Sequence, residues 1–244
     1  MARRRFFVEE VRNGEAEISG GDAKHLTRVL RVEVGQRFEV SDGTDVYLAE
    51  VKTAHKALVE FAVLEKVEPD PEIVHVVLLA SLIKFDRFEL LIEKATELGM
   101  AAIVPVIAGR TEAGLEKAVA KRVDRWRRIA MEASRQSRRD RLPEVRMPVT
   151  FEEALAFEAR WRFCLDEEVE GTCPIWNGMP AERAAGDTVA VLTGPEGGWT
   201  AAERKASAMA KWNRVSLGHQ ILRAETASMA ALAVIRSAWL GAVL

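Results

Sequence analysis

The chain has 244 residues, a length that fits one large domain or two modest ones. Hydrophobic residues make up 48% of it, enough for real cores, and the formal net charge of −2 argues neither for nor against a nucleic-acid partner. Cys164 and Cys173 show no CxxC spacing and no histidine spacing suited to zinc, so we predict reduced thiols and no metal site.

The first part of the chain is predicted to be strand-rich. Short, partly alternating apolar segments predict strands at 6–8, 15–18, 37–40, 46–51 and 58–63. Asp22 is predicted to cap a short helix that runs through Leu30. Several short strands in so few residues predict a small β-barrel at 1–68.

A linker is predicted at residues 68–72, Glu-Pro-Asp-Pro-Glu. Proline restricts its own backbone and that of the preceding residue, and the segment has no apolar side chain to bury. We therefore predict a domain boundary here, with a second domain at 73–244.

Strand and helix patterns alternate beyond the linker. The predicted strands are at 73–79, 102–106, 162–165, 188–192 and 215–217, and the predicted helices at 85–98, 116–137, 201–210 and 226–240. The alternation predicts a mostly parallel sheet with helices on both faces. No secretory leader is evident, and the last apolar stretch is predicted to be a buried or interface helix, so we expect no membrane association and a cytoplasmic location.

Two glycine-rich segments each follow a predicted strand. They are Thr-Gly-Pro-Glu-Gly-Gly-Trp at 193–199 and Ser-Leu-Gly-His-Gln-Ile-Leu-Arg-Ala-Glu-Thr at 216–226. Neither matches the phosphate-binding or dinucleotide-binding glycine fingerprints. Because ligands of open α/β sheets bind at the carboxyl ends of the strands, the two turns predict one shared pocket there.

These turns carry a family resemblance, together with His-Leu-Thr-Arg-Val-Leu-Arg at 25–31, Glu-Lys-Ala-Thr-Glu-Leu-Gly at 93–99 and Gln-Ser-Arg-Arg at 136–139. In order and spacing they resemble the bacterial small-subunit ribosomal RNA uracil-N3 methyltransferases of the SPOUT superfamily, over nearly the whole chain. The resemblance implies a PUA-like RNA-binding β-barrel at 1–68 and a SPOUT α/β domain at 73–244. It also implies a trefoil knot, which general rules of chain connectivity make rare.

S-adenosylmethionine (SAM) is the methyl donor that the resemblance implies. The residues expected to bind it are Leu192, Thr193, Gly194, Glu196, Gly197, Leu217, Gly218, Ile221 and Leu222. Arg223 is the leading catalytic candidate, because a fixed guanidinium can stabilise the anion formed when uracil N3 loses its proton. Glu225 is predicted to orient Arg223 or to accept that proton. The alternative is that Arg223 and Glu225 form a structural pair before the last helix.

A basic segment predicts the RNA-binding surface. Residues 121–146 carry ten basic and four acidic side chains in a chain of net charge −2. Such asymmetry is expected for phosphate contacts, although a solvated helix face is the alternative. The candidate RNA-binding residues are Arg3, Arg4, Arg5, Lys24, Arg28, Arg31, Arg128, Arg135, Arg138 and Arg139.

The expected partners follow from the resemblance: 16S ribosomal RNA, within the small ribosomal subunit, and a second copy of the chain in a homodimer. Three residues depart from the family pattern, Gln220 and Ala224 beside the proposed catalytic turn and Arg135 in the basic segment. The first two leave open a non-catalytic RNA-binding or ribosome-assembly factor of the same fold. A SPOUT methyltransferase with another RNA target is a further alternative.

Overall fold

The computed structural model describes residues 4–68, 72–137, 139–168 and 170–243. The chain divides into two compact units. The N-terminal unit comprises Met1–Asp70 and Ser134–Leu142, and the C-terminal unit comprises Pro71–Ala133 and Pro143–Leu244. Residues 69–71 of the predicted linker lie outside the described part of the chain, and the predicted domain limits stay predictions.

The N-terminal unit contains one sheet and one helix. Its strands are β1 Arg5–Phe7, β2 Val11–Arg12, β3 Glu15–Ser19, β4 Arg37–Ser41, β5 Val46–Ala54 and β6 Leu58–Val67, and the helix is α1 Gly20–Arg28. The strand order is β1-β4-β5-β6-β3-β2, with β1 and β4 parallel and the other neighbours antiparallel. All five predicted strands are confirmed, and β2 is an addition.

The start of α1 corrects one prediction. The helix follows directly from β3, so its N-cap is Ser19, and Asp22 lies inside the first turn instead of capping it. The Asp22 carboxylate instead accepts an ion pair from Arg135 at 2.9 Å. Sequence spacing could not reveal this partner, because it lies more than a hundred residues away.

The C-terminal unit is built on an eight-stranded sheet. Its strands are β7 Val74–Ser81, β8 Ala102–Ile107, β9 Glu144–Val145, β10 Val149–Thr150, β11 Trp161–Leu165, β12 Cys173–Pro174, β13 Asp187–Thr193 and β14 Asn213–Ser216. The order is β10-β8-β7-β13-β11-β14-β12, with β9 paired to β8. Every pairing is parallel, so the predicted parallel sheet is confirmed.

The remaining helices are α2 Phe85–Glu97, α3 Leu115–Ala118, α4 Val123–Ser137, α5 Phe151–Leu155, α6 Ile175–Gly178, α7 Ala201–Met209 and α8 Ala224–Val243. The predicted continuous helix at 116–137 is wrong, because a 3₁₀ turn at Val119–Arg122 separates α3 from α4. Such turns commonly connect helical segments. Here no glycine or proline marks the break in the sequence.

Helices cover both faces of the C-terminal sheet. Along β7, Val76 and Leu78 pack into the cluster that holds Phe88 of α2, Trp126 of α4 and Trp239 of α8. The alternate residues Val77 and Leu79 pack into the opposite cluster, with Phe151 of α5 and Ala206 of α7. Burial on both faces explains why the central strands are continuous apolar runs.

Two further points concern topology. None of the helices in the described residues combines the length and hydropathy needed to cross a bilayer. The trefoil knot expected from the resemblance is not decided by strand order, and it stays a prediction.

Candidate active site

A cavity of about 280 Å³ lies in the C-terminal unit, beyond the carboxyl ends of β11, β13 and β14. These three strands are neighbours in the order β13-β11-β14, so their final residues converge. The turn after β13 and the turn after β14 both contribute to the lining. The two glycine-rich segments therefore meet at one cavity, although 23 positions separate Thr193 from Ser216 in the sequence.

Most of the residues predicted to bind the cofactor line this cavity: Thr193, Gly194, Glu196, Leu217, Gly218, Ile221 and Leu222. Leu192 and Gly197 are not among the lining residues. The Leu192 side chain is fully buried in the core beneath. The carbonyl of Gly197 accepts a hydrogen bond from Arg110 at 2.8 Å.

The first turn is held rigidly by Trp199. Its ring is buried, and its Nε1 donates a hydrogen bond of 2.8 Å to the carbonyl of Leu165 at the end of β11. Gly198 adopts φ +67°, and a Cβ there would lie 2.6 Å from a carboxylate oxygen of Glu167. Since side-chain-bearing residues rarely adopt this backbone conformation, glycine lets the turn approach the cavity.

The second turn presents apolar side chains to the cavity. Ile221 is 82% exposed and Leu222 is 37% exposed, although both line the cavity. Gly218 at the start of this turn has φ +129°, which glycine tolerates. An exposed apolar wall beside a few polar groups is typical of a binding site that a ligand covers.

Arg223 and Glu225 occupy different environments. Arg223 is exposed and lines the cavity, while its carbonyl accepts the backbone N–H of Ala227 at the start of α8. Glu225 is buried, does not line the cavity, and has an Oε2 atom without a hydrogen-bond partner in the described part of the chain. No ion pair joins the two side chains within those residues, so the structural-pair alternative gains no support.

Asp166 also lines the cavity and was not among the predicted site residues. Its side chain is 1% exposed and is paired with Arg214 at 2.6 Å and Arg204 at 2.9 Å. Burial alone would raise the pKa of this carboxyl, but hydrogen bonds from Arg204, the Glu168 backbone and Arg214 outweigh it and lower the pKa. The carboxylate is therefore ionised, and the two arginines that hold it at the cavity offset its charge. Its position directly after a predicted strand was the available signal.

Two charged residues on the rim were also missed. Arg87, near the start of α2, forms an ion pair with Glu196 of the first turn. Glu167 follows Asp166 and is exposed at the cavity. Because Arg87 and Glu196 are 109 residues apart, no local pattern could indicate their contact.

The candidate RNA-binding residues fall into three groups. Arg4, Lys24, Arg28, Arg31 and Arg128 are exposed. Arg5 is paired with Glu39 at 2.8 Å and also with Asp140, Arg135 is paired with Asp22, and Arg139 is half-buried. Arg3 and Arg138 lie outside the described residues.

Sequence comparison identifies both parts of the chain. The family described as RNA methyltransferase domain matches residues 70–236, and the family described as RNA methyltransferase PUA domain matches residues 18–64. The expected combination of a PUA-like module and an α/β methyltransferase domain is thereby confirmed.

Individual relatives agree with this result. The ribosomal RNA small subunit methyltransferase E of Synechocystis is 33% identical over 94% of this chain and 75% of its own length. The enzyme of the same name from Aquifex aeolicus is 29% identical over 94% of this chain and 97% of its own. The crystal structure of the Neisseria gonorrhoeae enzyme bound to SAM is 29% identical, covers 97% of this chain and 98% of its own, and superimposes with a TM-score of 0.83. The chain belongs to the ribosomal RNA small subunit methyltransferase E family.

Proposed function

We propose that this protein transfers the methyl group of SAM to N3 of one uridine in the RNA of the small ribosomal subunit. The main observation that supports this proposal is that two glycine-rich turns and Arg223 line one cavity at the carboxyl ends of parallel strands. The relatives' names supply the class of RNA, and the SAM-bound relative supplies the donor. The uracil N3 target rests on the resemblance of the sequence motifs.

The residues around the cavity fit SAM chemically. Leu217, Ile221 and Leu222 offer an apolar wall for an adenine ring. Glu167 places negative charge near a ligand that carries a sulfonium and an ammonium group. When bound, SAM supplies a methyl group activated for transfer by the positive sulfur.

Arg223 is proposed to act on the base. N3 of uracil carries a weakly acidic proton, and its loss spreads negative charge over N3 and the neighbouring carbonyl oxygens. A guanidinium stays charged at every physiological pH, so it stabilises this anion without a proton transfer of its own. Arg223 is suited to the task because it lines the cavity and is exposed to an incoming base.

Glu225 is proposed to support Arg223 or to take the N3 proton. Its unpartnered Oε2, buried at the start of α8, retains an acceptor site for which the described residues supply no donor. A buried acceptor normally finds a partner, so bound substrate or a reoriented Arg223 is the natural candidate. The turn and the first turn of α8 would then work as one catalytic segment.

The remaining partners are part of the same proposal. N3 lies on the Watson–Crick edge, so the target uridine must be unpaired or flipped out of a helix. We place the substrate within the small subunit, the enzyme in a homodimer, and the reaction in the cytoplasm where ribosomal RNA is found. The RNA-binding role is assigned to the exposed cations, led by Arg4, Lys24, Arg28 and Arg128.

The non-catalytic alternative rests on Gln220 and Ala224. Both line the cavity, yet the glycines and Arg223 that the proposed chemistry needs are present beside them. The alternative is therefore not favoured. A related enzyme with another RNA target is separated from our proposal by the identity of the methylated atom.

The test is methyl transfer from SAM to unmethylated small ribosomal subunits and, in parallel, to the naked RNA. After digestion, mass spectrometry should identify 3-methyluridine in one of the two samples. A methyl group on ribose or on another base would overturn the N3 assignment. The absence of any methylated product in both samples would favour the binding-factor alternative.

A further inference from the structure

The N-terminal unit has a cavity of about 260 Å³ that the methyl-transfer chemistry does not use. Two distant segments form its polar rim, His25 of α1 and Arg135 with Gln136 at the end of α4. Phe6 and Leu26 form part of its apolar floor. Two of the sequence motifs, 25–31 and 136–139, therefore meet at one place in the fold. Neither contributes to the proposed SAM-binding cavity of the C-terminal unit, called the cofactor cavity below.

Three arginines in its lining distinguish this cavity, called the cationic cavity below, from another cavity of the same unit. Its lining holds Arg4, Arg5 and Arg135 against one carboxylate, Asp22. The other cavity, of about 360 Å³, is acidic, because it is lined by five glutamates and by only two cations, Arg12 and Lys52. Glu39 and Asp140, which pair with Arg5, bring the carboxylates at the first cavity to three, so its charge is balanced, whereas the second cavity repels an anionic polymer.

Two of the three arginines are held in place. Arg5 is paired with Glu39 at 2.8 Å and with Asp140, and its side chain retains 12% exposure. Arg135 is paired with Asp22 at 2.9 Å and retains 29% exposure. A side chain that is already fixed loses little conformational entropy when a ligand binds, so these pairs give the cavity a preorganised wall.

From this arrangement we propose that the cationic cavity binds one unpaired nucleotide of the RNA substrate. The volume lies just below the range of about 300–1,000 Å³ typical of drug-sized ligands, which suits one base better than a larger group. The apolar floor receives the base, and the Gln136 amide and the His25 ring offer donors and acceptors to its edge. Arg4, exposed at the rim, contacts a flanking phosphate.

The nature of this ligand rests on the proposed function, since an RNA methyltransferase must dock RNA at a distance from the reacting base. Recognition of unpaired bases is the usual way in which proteins read RNA sequence. The cationic cavity would therefore recognise the RNA substrate, whereas the cofactor cavity would determine which atom of the base is methylated.

Binding measurements on the full chain test the proposal. The probe is fluorescently labelled transcript of small-subunit ribosomal RNA, and the variants are the double change His25→Ala with Gln136→Ala, and Arg4→Ala. Loss of two base contacts should weaken RNA affinity at least about thirtyfold, which corresponds to about 2 kcal/mol. Arg4→Ala should reduce the salt dependence by about one counterion.

Arg12→Ala is the matched control, because it removes the same charge from the same unit at the acidic cavity. It should leave RNA affinity within about twofold of the parent, and all variants should keep the parent's SAM affinity and melting temperature. RNA affinity of the double variant within twofold of the parent, or equal losses in Arg4→Ala and Arg12→Ala, would overturn the proposal. Failure of methyl transfer with these differences in affinity intact would count against the proposed function instead.

A second measurement does not depend on substitutions. RNA that carries 4-thiouridine is crosslinked to the parent protein, and the attached peptides are identified by mass spectrometry. We expect crosslinks within 4–7, 22–31 or 135–137, the segments that line the cavity. Crosslinks confined to peptides outside these ranges would overturn the assignment.

Discussion

The cofactor cavity and the cationic cavity differ in how the chain builds them. The cofactor cavity is lined mostly by two turns that follow β13 and β14 directly, with Gly198 and Gly218 shaping the backbone. The cationic cavity is lined mainly by side chains of β1, α1 and α4, with His25 and Gln136 more than a hundred residues apart. The backbone of two turns shapes the first cavity, and these turns are recognisable from adjacent residues. The second cavity depends on side chains that are far apart in the sequence.

The difference also concerns how charge is held. In the cofactor cavity, Asp166 is buried to 1% exposure between two arginines. In the cationic cavity, Asp22 keeps half of its side-chain exposure while it pairs with Arg135. Water screens the second pair but hardly reaches the first, so equal substitutions should have unequal consequences. The expected effects below run from the largest to the smallest.

Replacing Arg223 should have the largest effect on activity. Arg223→Ala removes the cation that stabilises the uracil anion, so methyl transfer should fall about 10²–10³-fold while SAM affinity stays within about twofold. Single-turnover methylation and calorimetric SAM binding measure the two quantities. Lys205→Ala, an exposed change on α7, is the control and should leave both unchanged. Undiminished turnover of Arg223→Ala would remove this residue from the chemistry.

Asp166→Asn should have the largest effect on stability, about 3 kcal/mol of unfolding free energy, because it removes the buried carboxylate that Arg204 and Arg214 share and leaves the half-exposed Glu168 as their counter-charge. The pKa of Asp166 is lower in the folded protein than its ordinary value of about 3.9. Its contribution is therefore fully present above about pH 3.9 and is lost as the pH falls through the lower folded value.

Urea unfolding of Asp166→Asn, measured without SAM between pH 2 and pH 7, checks both statements. As the pH falls, the free energy of unfolding should decrease less steeply in the variant than in the parent. Asp124→Asn is the control, since the Asp124 side chain is 80% exposed in its pair with Arg127. If the unfolding free energy of Asp166→Asn fell as steeply at low pH as that of the parent, the assigned role of this carboxylate would be contradicted.

Gly198→Ala should combine a moderate loss of stability with a loss of cofactor affinity. The backbone at φ +67° costs about 1 kcal/mol with a side chain present, and the new Cβ would displace Glu167 at the cavity. Gly186→Ala is matched to it, because Gly186 has φ +79° and open space around its Cβ position. Both variants should lose similar stability in thermal unfolding, but SAM affinity should fall only in Gly198→Ala. Equal SAM affinities would show that the turn does not shape the site.

The smallest effect is expected for the pair in the cationic cavity. A double-mutant cycle of Asp22→Asn and Arg135→Ala should give a coupling energy below about 1 kcal/mol, since the Asp22 side chain is 50% exposed. Denaturant unfolding of the four proteins measures it. A coupling energy as large as the effect at Asp166 would remove the contrast between the two cavities.

Much of the fold followed from local patterns. The alternating strands of the N-terminal unit and the apolar strands of the C-terminal unit were predicted within a few residues, as was α2, which ends before Gly99. The short elements β2, β9, β10, β12, α5 and α6 were not predicted, because two to five residues are too few to show a period. The 3₁₀ turn at Val119–Arg122 was missed for a different reason, since no residue there signals a break.

The residues of the candidate site likewise differ in whether local sequence could reveal them. Seven of the nine residues expected to bind SAM line the cavity, because glycine-rich turns reveal themselves by composition. The other two do not line it. Leu192 is a buried residue of β13, and the carbonyl of Gly197 accepts a hydrogen bond from Arg110. Asp166 and Arg87 were missed, since their importance depends on partners in other elements.

What the sequence by itself determined is the alternation of strands and helices, the two glycine-rich turns and the place of Arg223 beside the second turn, because each depends on residues that are adjacent in the chain. What only the tertiary structure decided is which distant groups share a surface: Arg204 and Arg214 around Asp166, and α1 beside the end of α4. The physical reason is that periodicity and backbone freedom act over a few residues. Burial and the pairing of charges depend on every element that packs nearby.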